Sequence, residues 1–303
     1  MVYFGSNDGT VYALRAANGS VVWTLKTEGA VVASPTVSVN GTVYVGSQDK
    51  LVYALEGKTG SILWKTDLHC PIWGSVAVDN QRGLLFVGCT SDKSNASDSQ
   101  DTPHIFALSD KLGEIVWTFD DAGSVYDHHI YALDRETGKL YWSCDTGSEV
   151  ESSPVISRSD GTLYVGLIKD QLIAVNTVSG PLAGKIKWTV NTGGEVVSTP
   201  VITEDGRIFV GSGDGRILAL NQTDGSHLWS PATRDYIVAS VAVSRDNVVY
   251  AASSDQFVYA LHGDDGSVIW KFETGAAVVA TPTLFPSTPC RSDKTGTDYS
   301  ILT

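Results

Sequence analysis

Apolar and polar residues alternate in short runs along the chain, and turn sequences interrupt these runs about every 8–12 residues. Asn-Gly and similar pairs stand at the interruptions, because tight hairpin turns need a positive φ that Gly, Asn and Asp adopt at low cost. No stretch has the spacing of an amphipathic helix, so the chain is predicted to be all-β. The region from residue 31 to 65 predicts four strands: Val31–Val39, Thr42–Gly46, Leu51–Leu55 and Ser61–Lys65.

This four-strand pattern repeats, and tryptophan marks a period of about 41 residues. Each repeat tryptophan is expected to be a large wedge that docks neighbouring units. A glycine precedes each one by four residues, and a Tyr-Ala-Leu-like triplet, such as Tyr12-Ala13-Leu14, ends nine residues before most of them. The seven tryptophans are Trp23, Trp64, Trp117, Trp142, Trp188, Trp229 and Trp270.

Units of this size cannot bury both faces alone, whereas radially stacked units cover each other. The sequence therefore predicts a seven-bladed β-propeller of four-stranded antiparallel blades over residues 1–285, followed by a polar tail over residues 286–303. The chain opens with a second-strand sequence, Val2–Ser6, and ends with a first-strand sequence, Ala277–Phe285. These two strands are expected to complete one blade and close the ring, which leaves no free edge.

Two blades are irregular. Thr90–Asp101 is a polar insertion that predicts a loop on one rim. In the fourth blade, Ser124–Asp127 begins a first strand, but His128–Leu133 already resembles a third strand. Either this blade is reduced or the sequence omits a segment; we favour omission, because a two-stranded blade would leave its neighbours' faces uncovered. Omission predicts a wide Cα gap between Asp127 and His128.

Composition and charge exclude several classes of protein. The 21 basic and 34 acidic residues give a net charge of −13, which argues against binding to nucleic acid or to anionic lipid. No apolar run is long enough for a membrane span, and no signal peptide is visible before Val2, so we expect a soluble protein whose compartment the sequence leaves open. Buried or half-buried free thiols are expected, because no pair has metal-site or redox-motif spacing: Cys70, Cys89, Cys144 and Cys290.

The segment Ala132–Trp142 resembles the A-x-D-x-x-T-G-x-x-x-W repeat of the pyrroloquinoline-quinone (PQQ)-like propellers, and Ala54–Trp64, Ala219–Trp229 and Ala260–Trp270 are weaker copies. The resemblance implies the propeller fold over residues 1–285. It leaves the function open, since the family includes quinone-dependent dehydrogenases, an outer-membrane assembly lipoprotein, kinase sensor domains and the propeller of β-alanine-activating-type enzymes. The dehydrogenases usually have eight blades, a vicinal Cys-Cys ring, a stacking Trp, a Ca²⁺ held by Glu and Asn, and a catalytic Asp. This chain has seven repeats and no adjacent cysteines, so no catalytic residue can be assigned by this resemblance.

The segment that enters each innermost strand of a propeller lines the mouth of the central channel, where a ligand would bind. Aligned on Ser34, most of these positions are small or apolar, but six of them are aromatic or acidic. Such residues suit a cation, a sugar or a basic peptide, although they also fit an ordinary solvated rim. The six are Trp73, Tyr126, Glu149, Glu151, Glu195 and Tyr236.

Other motifs have structural interpretations. Adjacent His128 and His129 would point to opposite faces of a strand, which disfavours a metal site. The Ser-x-Asp sequences, such as Ser47–Asp49, recur in register and predict hairpin turns rather than Ca²⁺ loops. We therefore interpret the chain as a non-catalytic binding or scaffold propeller without a cofactor, which binds a protein, peptide or glycan partner, favours a basic one and works within a larger complex. The alternative is a PQQ-dependent and Ca²⁺-dependent alcohol or sugar dehydrogenase.

Overall fold

The computed structural model describes residues 1–89, 104–119, 128–278 and 281–282. Within these ranges the chain forms seven antiparallel sheets and no helix, so the all-β prediction is confirmed. Each of the seven tryptophan repeats contributes one sheet. Consequently, these ranges contain no helix with the length and apolarity needed to cross a bilayer.

The chain divides between Glu149 and Val150 into two compact units. The first unit contains four sheets, which have three, four, four and two strands among the described residues. Their strands are β1 (Val2–Gly5), β2 (Thr10–Leu14) and β3 (Val21–Lys26); β4 (Thr36–Val37), β5 (Thr42–Gly46), β6 (Leu51–Glu56) and β7 (Ile62–Asp67); β8 (Ala77–Asp79), β9 (Leu84–Cys89), β10 (His104–Ser109) and β11 (Ile115–Phe119); β12 (His129–Leu133) and β13 (Leu140–Asp145).

The second unit contains three four-stranded sheets, in which sequential strands are neighbours. Their strands are β14 (Val155–Ile156), β15 (Thr162–Leu167), β16 (Gln171–Asn176) and β17 (Ile186–Asn191); β18 (Val201–Ile202), β19 (Arg207–Gly211), β20 (Ile217–Asn221) and β21 (His227–Trp229); β22 (Ala242–Val243), β23 (Val248–Ala252), β24 (Phe257–His262) and β25 (Val268–Glu273).

The repeat residues share one register in every sheet. Ala13 pairs with Trp23 across the last two strands of the first sheet, and the equivalent Ala–Trp pair recurs in the other six. The register shifts directly after each of these alanines, as a β-bulge does. Because the alanine is small and the bulge turns the outer strand, the indole ring can lie over the sheet.

Five of the seven repeat tryptophans contact the next sheet through a ring face and through the indole N–H. Trp23 is 8% exposed, and its Nε1 donates a hydrogen bond to Gly57 O of the second sheet at 2.8 Å. Its ring lies against Gly60, where a Cβ atom would be 2.6 Å from the indole. The same donation, over 2.9–3.3 Å, joins Trp64 to Asp110, Trp117 to Arg135, Trp188 to Gln222 and Trp229 to Gly263. Trp142 is half-buried and Trp270 is 45% exposed.

The predicted hairpin turns at the Ser-x-Asp sequences are confirmed. Asp49 Oδ1 accepts from Leu51 N at 3.0 Å, and Asp8, Asp214 and Asp255 make the equivalent bond in their own turns. The second oxygen of Asp49 accepts from Tyr53 Oη at 2.7 Å. These carboxylates therefore close their own hairpins.

Two sequence-based expectations are wrong in detail. The first strand of the second sheet is Thr36–Val37 rather than Val31–Val39, because Val31 N donates to Ser6 O of the neighbouring sheet instead of to a ladder partner. The expected free thiols are wrong for Cys70 and Cys89, which form a disulfide with a Cα–Cα distance of 5.7 Å. The two cysteines are 19 residues apart in sequence, but the chain between β7 and β8 passes beside the end of β9.

Several predictions fall outside the described residues. These are Tyr126, the loop at residues 90–101, the Asp127–His128 gap and the tail at residues 286–303. Most of Ala277–Phe285 also lies outside them, so closure of the ring by that strand stays a prediction.

Candidate partner-binding rim

The candidate site is built on the segments that join the last strand of one sheet to the first strand of the next. We call them connectors; the described ones span residues 27–35, 68–76, 146–154, 192–200 and 230–241. Five of the six predicted site residues lie on these segments. Glu149 is half-buried, and the other four are exposed: Trp73, Glu151, Glu195 and Tyr236. Tyr126 lies outside the described residues.

Backbone hydrogen bonds hold the connectors to neighbouring hairpins, and three of the described connectors are held in this way on both sides. In the first connector, Val31 N donates to Ser6 O at 3.0 Å, and Ala30 O accepts from Gln48 N at 2.9 Å. The last connector repeats this arrangement, since Ile237 N donates to Ser212 O and Tyr236 O accepts from Ser254 N. Such a segment is fixed to two sheets at once, so its outward side chains stand on a rigid base.

A threonine clamp adds side-chain bonds to the same segments. Thr27 Oγ1 donates to Gly9 O of the preceding hairpin at 2.8 Å and to Gly29 O at 2.7 Å. Thr146, Thr233 and Thr274 make both bonds, and Thr192 makes the bond within its connector. This clamp was not predicted, although the sequence carries a signal for it: a threonine follows the repeat tryptophan by four residues in five of the seven repeats.

Serines fix the connectors to the following sheet. Ser47 Oγ donates to Gly29 O, Ser212 Oγ to Gly194 O, and Ser253 Oγ to Asp235 O, at 3.1–3.3 Å. All three serines are completely buried. Connectors 27–35 and 230–241 thus have one side-chain tie to the preceding hairpin, from the threonine, and one to the next, from the serine.

Buried and exposed residues alternate along the connectors, and this places the predicted site residues outward. Ile72 and Ile237 are buried at 0% and 1% exposure, whereas the adjacent Trp73 and Tyr236 are 55% and 54% exposed. Glu195 is likewise exposed beside the buried Val196. Because the adjacent aliphatic side chain is anchored in the core, the exposed indole or phenol can contact a partner without rearrangement of the connector backbone.

The site residues are distributed over both units. Trp73 and Glu149 belong to the first unit, on connectors that are not successive. Glu151, Glu195 and Tyr236 belong to the second unit, on three successive connectors. Glu149 and Glu151 thus share connector 146–154, and Trp73, Glu195 and Tyr236 each lie on a connector of their own.

Tyrosine–aspartate hydrogen bonds stiffen two of the hairpins that contact the connectors. Burial and the hydrogen bond to Asp255 raise the pKa of Tyr259 to about 12, and Tyr259 Oη lies 2.6 Å from Asp255 Oδ2. Although its own burial opposes ionisation, Asp255 has a lowered pKa because Tyr259 and the backbone donate hydrogen bonds to it. The aspartate is therefore ionised and the phenol neutral at neutral pH. Among the described residues, no group of three or more His, Cys, Asp or Glu side chains is arranged to hold a metal ion.

The seven sheets, the Ala–Trp register and the repeated connectors define a PQQ-like repeat propeller with seven blades. The chain belongs to the family described as outer membrane protein assembly factor BamB, whose model matches residues 7–127 and 126–281. The family resemblance and the seven-bladed propeller fold predicted from the repeat are thereby confirmed.

Solved structures support the fold. BamB from Moraxella catarrhalis is 18% identical, with a TM-score of 0.71 over 93% of this chain and 88% of that one. The quinohemoprotein alcohol dehydrogenase from Comamonas testosteroni is 14% identical, with a TM-score of 0.69 over 93% of this chain and 66% of that one. The computationally designed Ika8 protein is 16% identical, with a TM-score of 0.72 over 93% and 87%. At these identities the likeness shows the fold alone. No curated protein matches the chain.

Proposed function

We propose that this protein is a non-catalytic scaffold that binds a protein partner through the exposed face of its connectors, which we call the connector rim. The observation that carries the proposal is the exposure of Trp73 and Tyr236 on connectors tied to two sheets. Backbone hydrogen bonds make both ties for Tyr236, whereas the connector of Trp73 is bonded to the preceding sheet and linked to the next by the Cys70–Cys89 disulfide. Exposed aromatic side chains on a rigid base are typical of binding hot spots, because little conformational freedom is lost when a partner covers them. The family's description as an assembly factor agrees with a protein partner.

The acidic residues of the rim favour a basic partner segment. Glu151 and Glu195 are exposed at the repeat positions that Trp73 and Tyr236 occupy on their own connectors, and the whole chain carries a net charge of −13. A field of one sign raises the local concentration of opposite charges, and salt weakens that attraction.

A charge-matched pair of variants tests this proposal. The first carries Glu149→Gln, Glu151→Gln and Glu195→Gln on the rim. The control carries Glu114→Gln, Glu136→Gln and Glu204→Gln, which removes the same charge from hairpins at the other ends of their strands. We expect affinity capture from the source organism to recover less partner with the rim variant only, and raised salt to reduce the difference. Equal recovery with both variants would contradict the proposal.

The alternative is a quinone-dependent alcohol or sugar dehydrogenase, because such an enzyme is among the structural neighbours. The chain does not fit the family's PQQ site, which needs a vicinal Cys-Cys ring: Cys70 and Cys89 are 19 residues apart and bonded to each other. The scaffold account expects no dye reduction when PQQ, Ca²⁺ and simple alcohols or aldoses are added. Sustained turnover would favour the dehydrogenase.

We also propose that the protein works in an oxidising compartment, since disulfides persist there and are rare in reducing ones. The Cys70–Cys89 bond supports this. Mass spectrometry of native protein, alkylated before extraction, should find both cysteines unalkylated until a reductant is added. Alkylation without reductant would place the protein in a reducing compartment.

A further inference from the structure

Among the described connectors, the one over residues 68–76 lacks the threonine clamp. Leu68 occupies the position of Thr27 and keeps the backbone bond, since its N donates to Lys50 O at 3.0 Å. Its side chain has no donor, so it cannot form the two side-chain bonds of the threonine. This connector carries Trp73, which is 55% exposed.

The serine tie to the next sheet is also replaced in this connector. In two other connectors, Ser47 bonds to Gly29 O and Ser212 bonds to Gly194 O. Here Cys89 occupies the position of the serine and Cys70 occupies the position of the glycine. Both cysteines are buried, and Cys89 ends β9 where a serine follows the equivalent strand in three other sheets. The disulfide therefore stands at the site of a hydrogen bond that those three repeats keep.

We infer that the Cys70–Cys89 disulfide is the positioning element for Trp73, taking the place of both hydrogen-bond ties, so that the order of this connector alone depends on oxidation. Reduction breaks the S–S bond and adds two electrons and two protons from a dithiol, which itself closes to a cyclic disulfide. Without the bond, the ties that the described residues give this connector are the backbone bonds from Leu68 N to Lys50 O and from Ile72 N to Ser47 O. The importance of Trp73 for binding rests on the proposed function; its positioning does not.

The rates of hydrogen exchange at the amides of Leu68 and Ile72 test the inference directly. In wild-type protein, a dithiol should speed their exchange about a hundredfold, the effect of opening a loop of this size, while amides of connector 192–200 stay unchanged. The variant Leu68→Thr, Cys70→Gly, Cys89→Ser carries the residues found at Thr192, Gly194 and Ser212. In this variant the same two amides should exchange at least about tenfold more slowly than in reduced wild-type protein, and the dithiol should not change their rates. The matched control keeps Leu68 and carries Cys70→Gly and Cys89→Ala, and it should exchange quickly under all conditions.

A second signal follows Trp73 itself. In fluorine NMR of protein labelled with 5-fluorotryptophan, the signal of Trp73 is assigned as the one that Trp73→Phe removes. This signal should shift and broaden when wild-type protein is reduced. It should stay sharp in the threonine–serine variant, which carries Leu68→Thr, Cys70→Gly and Cys89→Ser. Unchanged exchange in reduced wild-type protein, or a threonine–serine variant no better protected than its control, would overturn the inference. Neither readout requires a partner, so a negative result here is distinct from failure of the connector rim as a binding surface. If the control variant does not fold, the comparison of oxidised with reduced wild-type protein still tests the inference.

Discussion

At the residue scale, the glycines four residues before the repeat tryptophans show two separate reasons to be glycine, a positive φ and a close neighbouring ring. Gly19 and Gly60 have φ values of 68° and 74°, which a side chain adopts only with strain. A Cβ on Gly60 would also meet the Trp23 ring, whereas nothing lies within 4 Å of a Cβ on Gly19. The two positions therefore separate conformational strain from steric overlap.

We expect Gly19→Ala to lower the free energy of unfolding by about 1 kcal/mol. Gly60→Ala should cost about 1–3 kcal/mol more, because the Trp23 ring must move. Urea denaturation of both variants measures the difference, and equal losses would show that Trp23 accommodates a methyl group without cost.

Asp134, in the best copy of the repeat motif, provides a pH-dependent test. Hydrogen bonds from Tyr141 and then Thr137 lower the pKa of its carboxyl to about 2. Since this folded-state pKa lies below the ordinary value of 3.8, the ionised carboxylate stabilises the fold above that value, and the contribution is lost as the pH falls towards 2.

Tyr141→Phe should therefore raise the pKa of Asp134 and leave that of Asp160, also about 2, unchanged. Titration of the side-chain carboxyl signals by carbon NMR follows both groups in one sample. An unshifted Asp134 would mean that Tyr141 does not donate to it.

At the element scale, tryptophans have opposite roles in the strands and in the connectors. Trp23 is 8% exposed and joins two sheets, whereas Trp73 is 55% exposed. Trp23→Ala should cost about 3–5 kcal/mol of stability, and Trp73→Ala less than about 1 kcal/mol. Thermal and urea unfolding check this. A large loss for Trp73→Ala would show that Trp73 is a packing residue and would remove it from the proposed binding surface.

The strands were predictable because their signal is local. Alternation and Asn-Gly turns predicted Thr42–Gly46 with its observed bounds, and the tryptophan period predicted the number of sheets. The first strands were predicted too long, since the bonds of Val31 reach a hairpin in another sheet. The Cys70–Cys89 pairing was missed for the same reason, because spacing along the chain does not reveal which connector passes which strand end.

At the scale of the whole molecule, the repeat produces a set of equivalent connectors whose backbone is fixed and whose outward residues are free to differ. The buried anchor is aliphatic in each of Ile72, Val196 and Ile237, while the neighbouring outward residues include an indole, a carboxylate and a phenol. Under the proposed function, recognition and fold would be carried by different residues of the same segments, as in other folds that bear functional loops on a rigid scaffold.

The central claim is that the connector rim is the surface that partners cover, and site-specific photocrosslinking in the source organism tests it most directly. A benzophenone amino acid would replace Trp73 or Tyr236 in turn, and Tyr141 as a control, because Tyr141 is 67% exposed but lies on the outer strand β13. We predict that the two rim positions crosslink the same partner protein and that the control position does not. Crosslinking from Tyr141 alone, or equally from all three positions, would contradict the account.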